Sequence, residues 1–501
     1  MSVIKINSMD NVVVAVRPIM AGEVVVSEAS ACVKAACDIP FGHKIACKGI
    51  PKGSPVIKYG YAIGCATADI AAGEHVHSHN LKTALGEQLD YSYEPELVAA
   101  PEPRGDHFMG FRRSDGKVGI RNEIWIIPTV GCVNSIGAAV AQKARDFIAA
   151  TGSGSISGVY SFSHPYGCSQ LGQDHENTKK VLCALARHPN AGGVLILGLG
   201  CENNSVDEMK EMLGDYDKSR IRFVVCQEHE NEISAALLSV EELIQIAAGD
   251  ERETVSVSEL TVGLKCGGSD GLSGISANPL VGAFTNSLTA EGGSAILTEV
   301  PEMFGAETIL MSRCKNESVF QKTVALINNF KAYFRAHKQP IYENPSPGNK
   351  AGGITTLEDK ALGCTQKAGS ATVVDVLSYG EALSEKGLNL LEAPGNDLVA
   401  STALAASGAQ LVLFTTGRGT PFGSPVPTVK ISSNTPLAQK KSGWIDFDAG
   451  VLVSEIENVS MEGLSQTFHE YVLRLASGEE LTKTEQNGIR DMAIFKTGVT
   501  L

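Results

Sequence analysis

The feature that most constrains this 501-residue chain is a change of hydrophobic period near Phe108. From Val3 to about Asn80 the apolar residues form only short β-type runs, "NVVVAV", "AGEVVV", "GHKIACKGI" and "SPVIKYGYAIG", broken by glycine and proline. No helical period survives there, so a small all-β domain is expected. After Phe108, apolar strands alternate with amphipathic helices. The strand candidates are "EIWIIPTV", "GVYSFSH", "GGVLILGLG", "IRFVVC", "LTVGLKC", "SAILTEV", "ATVVDVL" and "AQLVLFTTG", and helices are expected over 135–150, 175–188, 316–337 and 397–406. Continuous apolar strands separated by helices imply a parallel sheet covered on both faces. Between the two regimes lies "YSYEPELVAAPEPRGDH", where three prolines and the lack of a period predict a stiff, extended linker. The expectation is a multidomain chain. An all-β domain spans 1–90, a linker 91–108, and α/β domains 109–255 and 256–501, divided near "GDERETVSVSEL".

Charge and cysteine usage exclude several function classes. A net charge of -14 with no compensating Lys/Arg block repels phosphate backbones, so nucleic acid is not an expected partner. "MSVIKINSMDN" lacks the basic start and apolar run of a signal peptide, and "GGVLILGLG" is too short to span a bilayer. No membrane association and a cytoplasmic location are expected. None of the twelve cysteines forms a C-x-x-C pair, which predicts reduced thiols. Cys183 and others fall on apolar helical faces, whereas Cys168, Cys201 and Cys266 each lie beside glycine in a loop.

The polar clusters recur after the strand candidates, where parallel α/β sheets bind ligands. "CGGSDG" follows "LTVGLK", Glu299 ends "SAILTEV", and "TGRGTP" follows "LVLFT". Gly267 and Gly268 leave backbone amides free to face an anion, beside Ser269 and Asp270, and Ser276 or Asn278 is expected to cap the next helix. In "NPSPGNKAGGITTLEDKALGC", prolines and glycines shape a convoluted loop that carries Asn349 and Lys350; Lys350 is a candidate base or a solvated surface cation. Arg418, between glycines after Thr416, has the fork geometry to grip a carboxylate, or else forms an internal salt bridge. In "GEHVHSHN" an extended backbone would set His75, His77 and His79 on one face, suited to a divalent metal or to proton transfer.

Taken together, "IPFGHKIA", "VIKYGYAIG", "EHVHSHN", "GKVGIRNEIWIIPTVGCVN", "HPYGCSQLGQDH", "GLGCENN", "CGGSDGLSGISANP", "LTEVPEMFGAE", "NPSPGNKAGGITTLEDKALGCTQKAG", "TTGRGTPFG" and "MAIFKTGVTL" closely resemble the altronate/galactarate dehydratase family along essentially the whole chain. The resemblance implies a β-clip (SAF-like) N-terminal domain, a middle domain used for homodimerisation and a Rossmann-like C-terminal domain that binds metal. It also implies a hydro-lyase that needs ferrous iron, or manganese or another divalent cation, and converts D-altronate to 2-dehydro-3-deoxy-D-gluconate in hexuronate breakdown. The "HVHSHN" histidines favour the altronate branch over the galactarate branch.

Dehydration of a sugar acid removes a weakly acidic proton from C2 and hydroxide from C3, and a divalent cation stabilises the enediolate between them. Asp270 and Glu299 are the expected oxygen ligands, with His77 and His79 as further metal candidates. Arg418, with Gly267, Gly268, Ser269, Asn349 and Thr416, is expected to bind the substrate carboxylate, and Lys350 and His164 to act as base and acid. An alternative cofactor is an iron–sulfur cluster on Cys168, Cys201 and Cys266. The alternative functions are dehydration of a related acid such as galactarate, and non-catalytic sugar-acid binding.

Overall fold

The computed structural model describes residues 2–27, 30–86, 90–152, 154–454 and 459–501, with the side chains of 26, 27 and 30–32 outside that description. No helix among the described residues is long and apolar enough to cross a membrane.

The first part of the chain is all β. Val12–Ala15 lies between Val3–Ile4 and Lys44–Ala46, all antiparallel, with His75–Val76 at the edge beyond. Pro55–Lys58, Tyr61–Ala66 and Leu81–Lys82 form a second sheet. The valines and isoleucines that alternate along these runs fill two small cores. One of them is not self-contained: Val12, Val56, Ile63 and Val76 pack against Ala306, Ala361 and Leu362 from far along the chain. The all-β domain therefore completes its burial only on the helix Leu357–Cys364. Each aliphatic side chain fully buried in this way contributes about 1.5–3 kcal/mol.

The segment after it runs without regular structure along the C-terminal part. Tyr91 donates its hydroxyl to Glu307 at 2.6 Å, Tyr93 to the Cys314 carbonyl at 2.9 Å, and the Glu96 amide bonds the Ser312 carbonyl at 2.7 Å. A three-stranded antiparallel sheet follows, with His107–Arg112 between Val118–Gly119 and Glu253–Ser256. It ties together the entry to and exit from a four-stranded parallel sheet.

That sheet consists of Glu123–Pro128, Gly158–Ser161, Ala191–Gly198 and Ile221–Val225, in the spatial order second, first, third, fourth. Helices Asn134–Thr151 and Glu232–Ala247 cover one face, and Gly172–Ala186 and Val206–Leu213 the other. The second sheet has seven parallel strands: Thr261–Cys266, Ser294–Leu297, Val373–Leu377, Leu388–Leu391, Leu411–Thr416, Thr428–Ser432 and Phe447–Asp448. Their order is third, fourth, second, first, fifth, sixth, seventh. One apolar layer serves both sheets, since Val181, Leu182 and Met209 share a cluster with Ala400, Leu404, Val412 and Phe414.

All eight strands expected from apolar runs are present, and the four expected helices occupy Asn134–Thr151, Gly172–Ala186, Glu317–Ala336 and Asp397–Ala406. Leu388–Leu391, Thr428–Ser432 and Phe447–Asp448 were not foreseen. Thr428–Ser432 is a strand whose apolar run is interrupted by Lys430, yet that lysine is buried and satisfied by the Thr420 and Phe422 carbonyls. The expected extended stretch from His75 to His79 stops at Val76, and a turn closed by the Asn80 amide on the His77 carbonyl carries the rest.

Candidate active site at the seam of the first and last domains

In the seven-stranded sheet the first strand has the second on one side and the fifth on the other. Chain connections diverge there, opening the crevice where α/β sheets take ligands. The loops that leave those strands at their carboxyl ends carry "CGGSDG" and "GRG". At Gly268 the backbone is left-handed, with φ of 63°. Gly271 has a different reason to be glycine: a Cβ there would lie 1.9 Å from the Gly42 carbonyl oxygen, and one at Gly353 would lie 2.2 Å from the same atom. The backbone of the all-β domain presses into this crevice, and glycine is the residue that admits it.

Four amides of the loop are already engaged. Gly267 bonds the Thr415 carbonyl, Asp270 the Ser273 hydroxyl, Gly271 the Gly352 carbonyl and Leu272 the Asp270 carboxylate. The amides of Gly268 and Ser269 have no partner among the described residues, and the Ser269 hydroxyl is a buried polar atom without one. Unmet donors at one point are what a ligand's oxygen atoms would satisfy. The anion seat expected at the start of the next helix is not built as foreseen. Ser276 does not cap Ala277–Ala290; its hydroxyl donates to the Leu272 and Ser433 carbonyls, and Asn278 donates to the Gly363 carbonyl.

Asp270 holds the loops together. Its Oδ1 accepts from the Leu272 amide and the Ser273 and Ser433 hydroxyls at 3.1, 2.9 and 2.8 Å, and its Oδ2 accepts from Asn434 at 3.0 Å. The short helix Pro347–Ala351, capped reciprocally by Ser346 and Asn349, lies against it, and Asn349 donates to the Ser269 carbonyl at 2.8 Å. Lys350 is half-buried on this helix, and its ammonium has no partner among the described residues. Arg418 is exposed, its amide bonds the Gly268 carbonyl at 2.9 Å, and its guanidinium makes no ion pair among the described residues. Thr416 spends its hydroxyl on the Gly419 amide at 2.9 Å. Gly267, Gly268, Ser269, Asp270, Asn349, Lys350, Thr416 and Arg418 thus converge.

The histidines complete the rim. His75 lies with its ring centre 5.5 Å from that of His77 and 5.4 Å from that of His79, and His43 joins them at 5.1 Å from His75 and 5.0 Å from His77. His43 Nδ1 and His75 Nε2 are 3.0 Å apart, and His77 Nε2 reaches the Lys350 carbonyl at 2.9 Å. Burial, and then the charge of its imidazole neighbours, push His75 down to about 3. Burial and the Lys44 ammonium take His77 down to about 4. These rings are neutral at pH 7, the form that ligates a metal.

Beneath the crevice lies a buried charge network. Glu299, at the end of Ser294–Leu297, pairs with Lys265, which also reaches Asp397 at 2.8 Å. Burial and the Glu302 charge raise Glu299 to about 8 against the pull of Lys265. Cys266 accepts from Lys367 at 2.8 Å and stands 3.2 Å from the Cys364 sulfur and 3.1 Å from Glu302. The Cys364 hydrogen bond, with help from Lys367 and Lys265, lowers Cys266 to about 6 although burial opposes it. Lys360 holds Glu302 at 2.7 Å. Cys266, Glu302 and Cys364 lie close enough together to surround an ion. Their negative charge is already answered by lysines, so a cation there would have to displace them. A second such network locks the seam, where Lys44 and Lys58 converge on Asp359 at 2.7 and 2.9 Å. Burial opposes the Asp359 charge, but the two ammonium groups outweigh it and hold the carboxyl far below its ordinary range.

Other expected residues lie elsewhere. His164 is buried in the middle domain with both nitrogens committed, Nε2 to the Pro128 carbonyl at 2.8 Å and Nδ1 to the Tyr166 amide at 3.2 Å. Cys168 and Cys201 are exposed at the ends of middle-domain strands, whereas Cys266 is buried in the other sheet, so these three thiols do not form one site. His43, Lys44, Asp359, Glu302, Cys364 and Lys367 were not singled out from sequence. A lone histidine or lysine in a β run carries no spacing signal, and these come together only through the domain seam.

Comparison with known proteins agrees along the whole chain. Residues 1–84 match the altronate/galactarate dehydratase SAF domain, 110–248 the D-galactarate dehydratase/altronate hydrolase second domain, and 257–500 the D-galactarate/altronate dehydratase C-terminal domain. An altronate dehydratase of Bacillus subtilis is 54% identical and one of Escherichia coli 53% identical, each over 100% of both chains. The L-threo-forming galactarate dehydratase of Escherichia coli is 32% identical over 91% of this chain and 90% of its own. With an all-β domain matching the SAF model ahead of two parallel α/β sheets, and relatives matched from end to end, the chain belongs to the altronate/galactarate dehydratase family.

Proposed function

We propose that the chain is a hydro-lyase that removes water from D-altronate to give 2-dehydro-3-deoxy-D-gluconate. The observation that carries this reading is the identity of 53–54% over full length to two altronate dehydratases, against 32% to a galactarate dehydratase.

The crevice supports it chemically. The Arg418 guanidinium and the donors of Gly268 and Ser269, all without a partner side chain or carbonyl among the described residues, would hold the substrate carboxylate, and the same charge would steady the second negative charge that develops at C1 as the C2 proton leaves. Lys350, projecting from a helix fixed by Asn349, takes the C2 proton in this reading. The electron pair of that bond, held first at C1, then forms the C2–C3 double bond as the C3 hydroxyl leaves, and the proton taken up by Lys350 goes with it to make water. The enol then relaxes to the 2-keto acid. Asp270 and Asn349 act here as positioning residues, since their polar atoms are spent on the loops themselves. His164 has no part in this proposal.

In this reading a divalent cation would take its ligands from the imidazole cluster of His43, His75, His77 and His79, whose ring nitrogens would first give up their present bonds to one another and to the Lys350 carbonyl. Ferrous iron or manganese bound there would supply Lewis-acid stabilisation of the enediolate. Asp270 and Glu299, the ligands expected first, are tied up by hydroxyls, amides and Lys265. The same reading carries a cytoplasmic homodimer joined through the middle domain, and light scattering of the purified chain measures its oligomeric state.

The experiment is turnover of a panel of aldonates and aldarates with ferrous iron and a reductant. Formation of the 2-keto-3-deoxy product from D-altronate, at least tenfold faster than from galactarate, is expected. Faster reaction with galactarate would reassign the substrate, and binding of altronate without product would make the protein a sugar-acid binder.

A further inference from the structure

The middle domain carries a regularity that the crevice does not use. Each of its first three strands ends in a loop with a glycine–cysteine pair: Gly131–Cys132 after Glu123–Pro128, Gly167–Cys168 after Gly158–Ser161, and Gly200–Cys201 after Ala191–Gly198. These strands are adjacent and parallel, and the first lies between the second and third. The cysteines therefore leave the carboxyl ends at the point where the chain order reverses, the position at which such sheets bind ligands. All three thiols are exposed. Cys226, after the fourth strand, instead packs half-buried against the hydrophobic core.

The three loops are interlocked. The Gly131 amide bonds the Tyr166 carbonyl at 2.9 Å, and the Asn204 amide bonds the Gly167 carbonyl at 2.9 Å. Asn204 donates to the Thr129 carbonyl at 3.0 Å, and the Ser169 amide to Asn203 at 2.9 Å. Glu202 gathers the Thr129 hydroxyl and the Leu199 and Gly200 amides. A Cβ on Gly167 would fall 2.0 Å from the Thr129 carbonyl oxygen, so the Cys168 loop closes tightly onto the strand that precedes Cys132. Against this close fit, two buried polar atoms beside the cysteines have no partner among the described residues: the Gln170 amide nitrogen and the Asn204 amide oxygen. An unpaired buried donor two residues from an exposed thiol points to a missing acceptor.

We propose that Cys132, Cys168 and Cys201 hold an iron–sulfur cluster through three thiolates, leaving one iron without a protein thiolate. A single ion with bonds of about 2.3 Å would draw its thiolates to within about 4.6 Å of one another. The three sulfurs do not lie within 4.8 Å of one another, whereas several irons bridged by sulfide spread their thiolates further apart. The sulfides also supply acceptors for a donor such as the Gln170 amide. Cys132 thus takes the place expected from sequence for Cys266 as a cysteine beside glycine in a loop. This proposal is independent of the histidine-held cation and of the substrate, and altronate turnover is not its readout.

The test uses the full-length chain purified without oxygen, or reconstituted with ferrous iron and sulfide under reductant. Iron and acid-labile sulfide in equal amounts are expected, with broad visible absorption. Both fall at least tenfold in Cys132→Ala, Cys168→Ala and Cys201→Ala and stay unchanged in Cys37→Ala, which removes another exposed thiol. Alkylation of the unmutated protein provides a measurement that no folding defect can blur. Cys132, Cys168 and Cys201 are shielded when iron is bound and react once a chelator strips it, while Cys37 reacts in both states. Iron without sulfide, absence of iron after reconstitution, or equal alkylation of the three thiols with and without iron overturns the proposal.

Discussion

The two parallel sheets end in opposite ways. At the carboxyl end of the seven-stranded sheet, Cys266 is buried and its charge is met by Lys367, with Glu299 and Glu302 held by Lys265 and Lys360. At the same end of the four-stranded sheet, Cys132, Cys168 and Cys201 are exposed and no lysine is bonded to any of them among the described residues. The same element order has produced a charge network complete in itself and a set of donors that awaits a partner. The difference lies in what packs on top: the all-β domain closes over the first sheet, whereas at the second the C-terminal residues run beside the Cys168 loop, the Leu501 amide bonding the Ser169 carbonyl at 3.0 Å, and the three thiols stay exposed.

That contrast can be broken most directly by removing an internal counter-charge. Lys367→Met is expected to cost about 3–5 kcal/mol in denaturant unfolding, because it leaves the buried Cys266 thiolate without the ammonium bonded to it. It also raises the Cys266 thiol, which ultraviolet titration of thiolate reads. A loss below 1 kcal/mol would mean that the network is solvated. Arg418→Ala should leave folding unchanged and lower kcat/KM for altronate by about 100-fold, as expected for one charged donor to a developing anion; unchanged kinetics would remove Arg418 from the site.

A pH profile addresses the layer between the sheets. His188 is buried there, bonded to the Ala409 carbonyl, and burial, with Lys117 and Arg113 nearby, lowers it to about 3 from 6.5. The unfolded chain therefore binds the extra proton first, so stability is full above pH 6.5 and is lost as pH falls toward 3. Glu485, lowered to about 2 because Arg121 and Arg490 outweigh its burial, adds a further loss between 4.5 and 2. Denaturant midpoints measured between pH 7 and 4 should decline, and His188→Gln should flatten that decline. The smallest effect is expected at the other sheet's end: Cys168→Ser in metal-free protein should change stability by less than about 0.5 kcal/mol, since the thiol is exposed. A larger loss would show that the loop depends on the thiol for its fold.

Much of the architecture is visible in local pattern. The runs that became Glu123–Pro128, Ala191–Gly198, Thr261–Cys266 and Leu411–Thr416 are apolar throughout because both sheet faces are covered. Thr428–Ser432 escaped because its lysine is satisfied by carbonyls from a neighbouring loop. The site was half visible. The glycine loop, Asn349, Lys350 and Arg418 stand out by composition, but His43 reaches the Ala351 carbonyl, and Lys44 reaches Asp359, across a seam of more than 300 residues. Cys132 shares its glycine–cysteine signature with Cys168 and Cys201, and its significance emerges only once the three strands are neighbours.

By itself, the sequence determined the kind and order of elements, since hydrophobic period and turn residues act over a few positions of chain. It also marked which loops are unusual. The tertiary structure decided which of those loops meet. Sheet neighbours do not follow chain order, and a thiolate or carboxylate acquires its protonation state from lysines and thiols brought to it by packing rather than by proximity along the backbone.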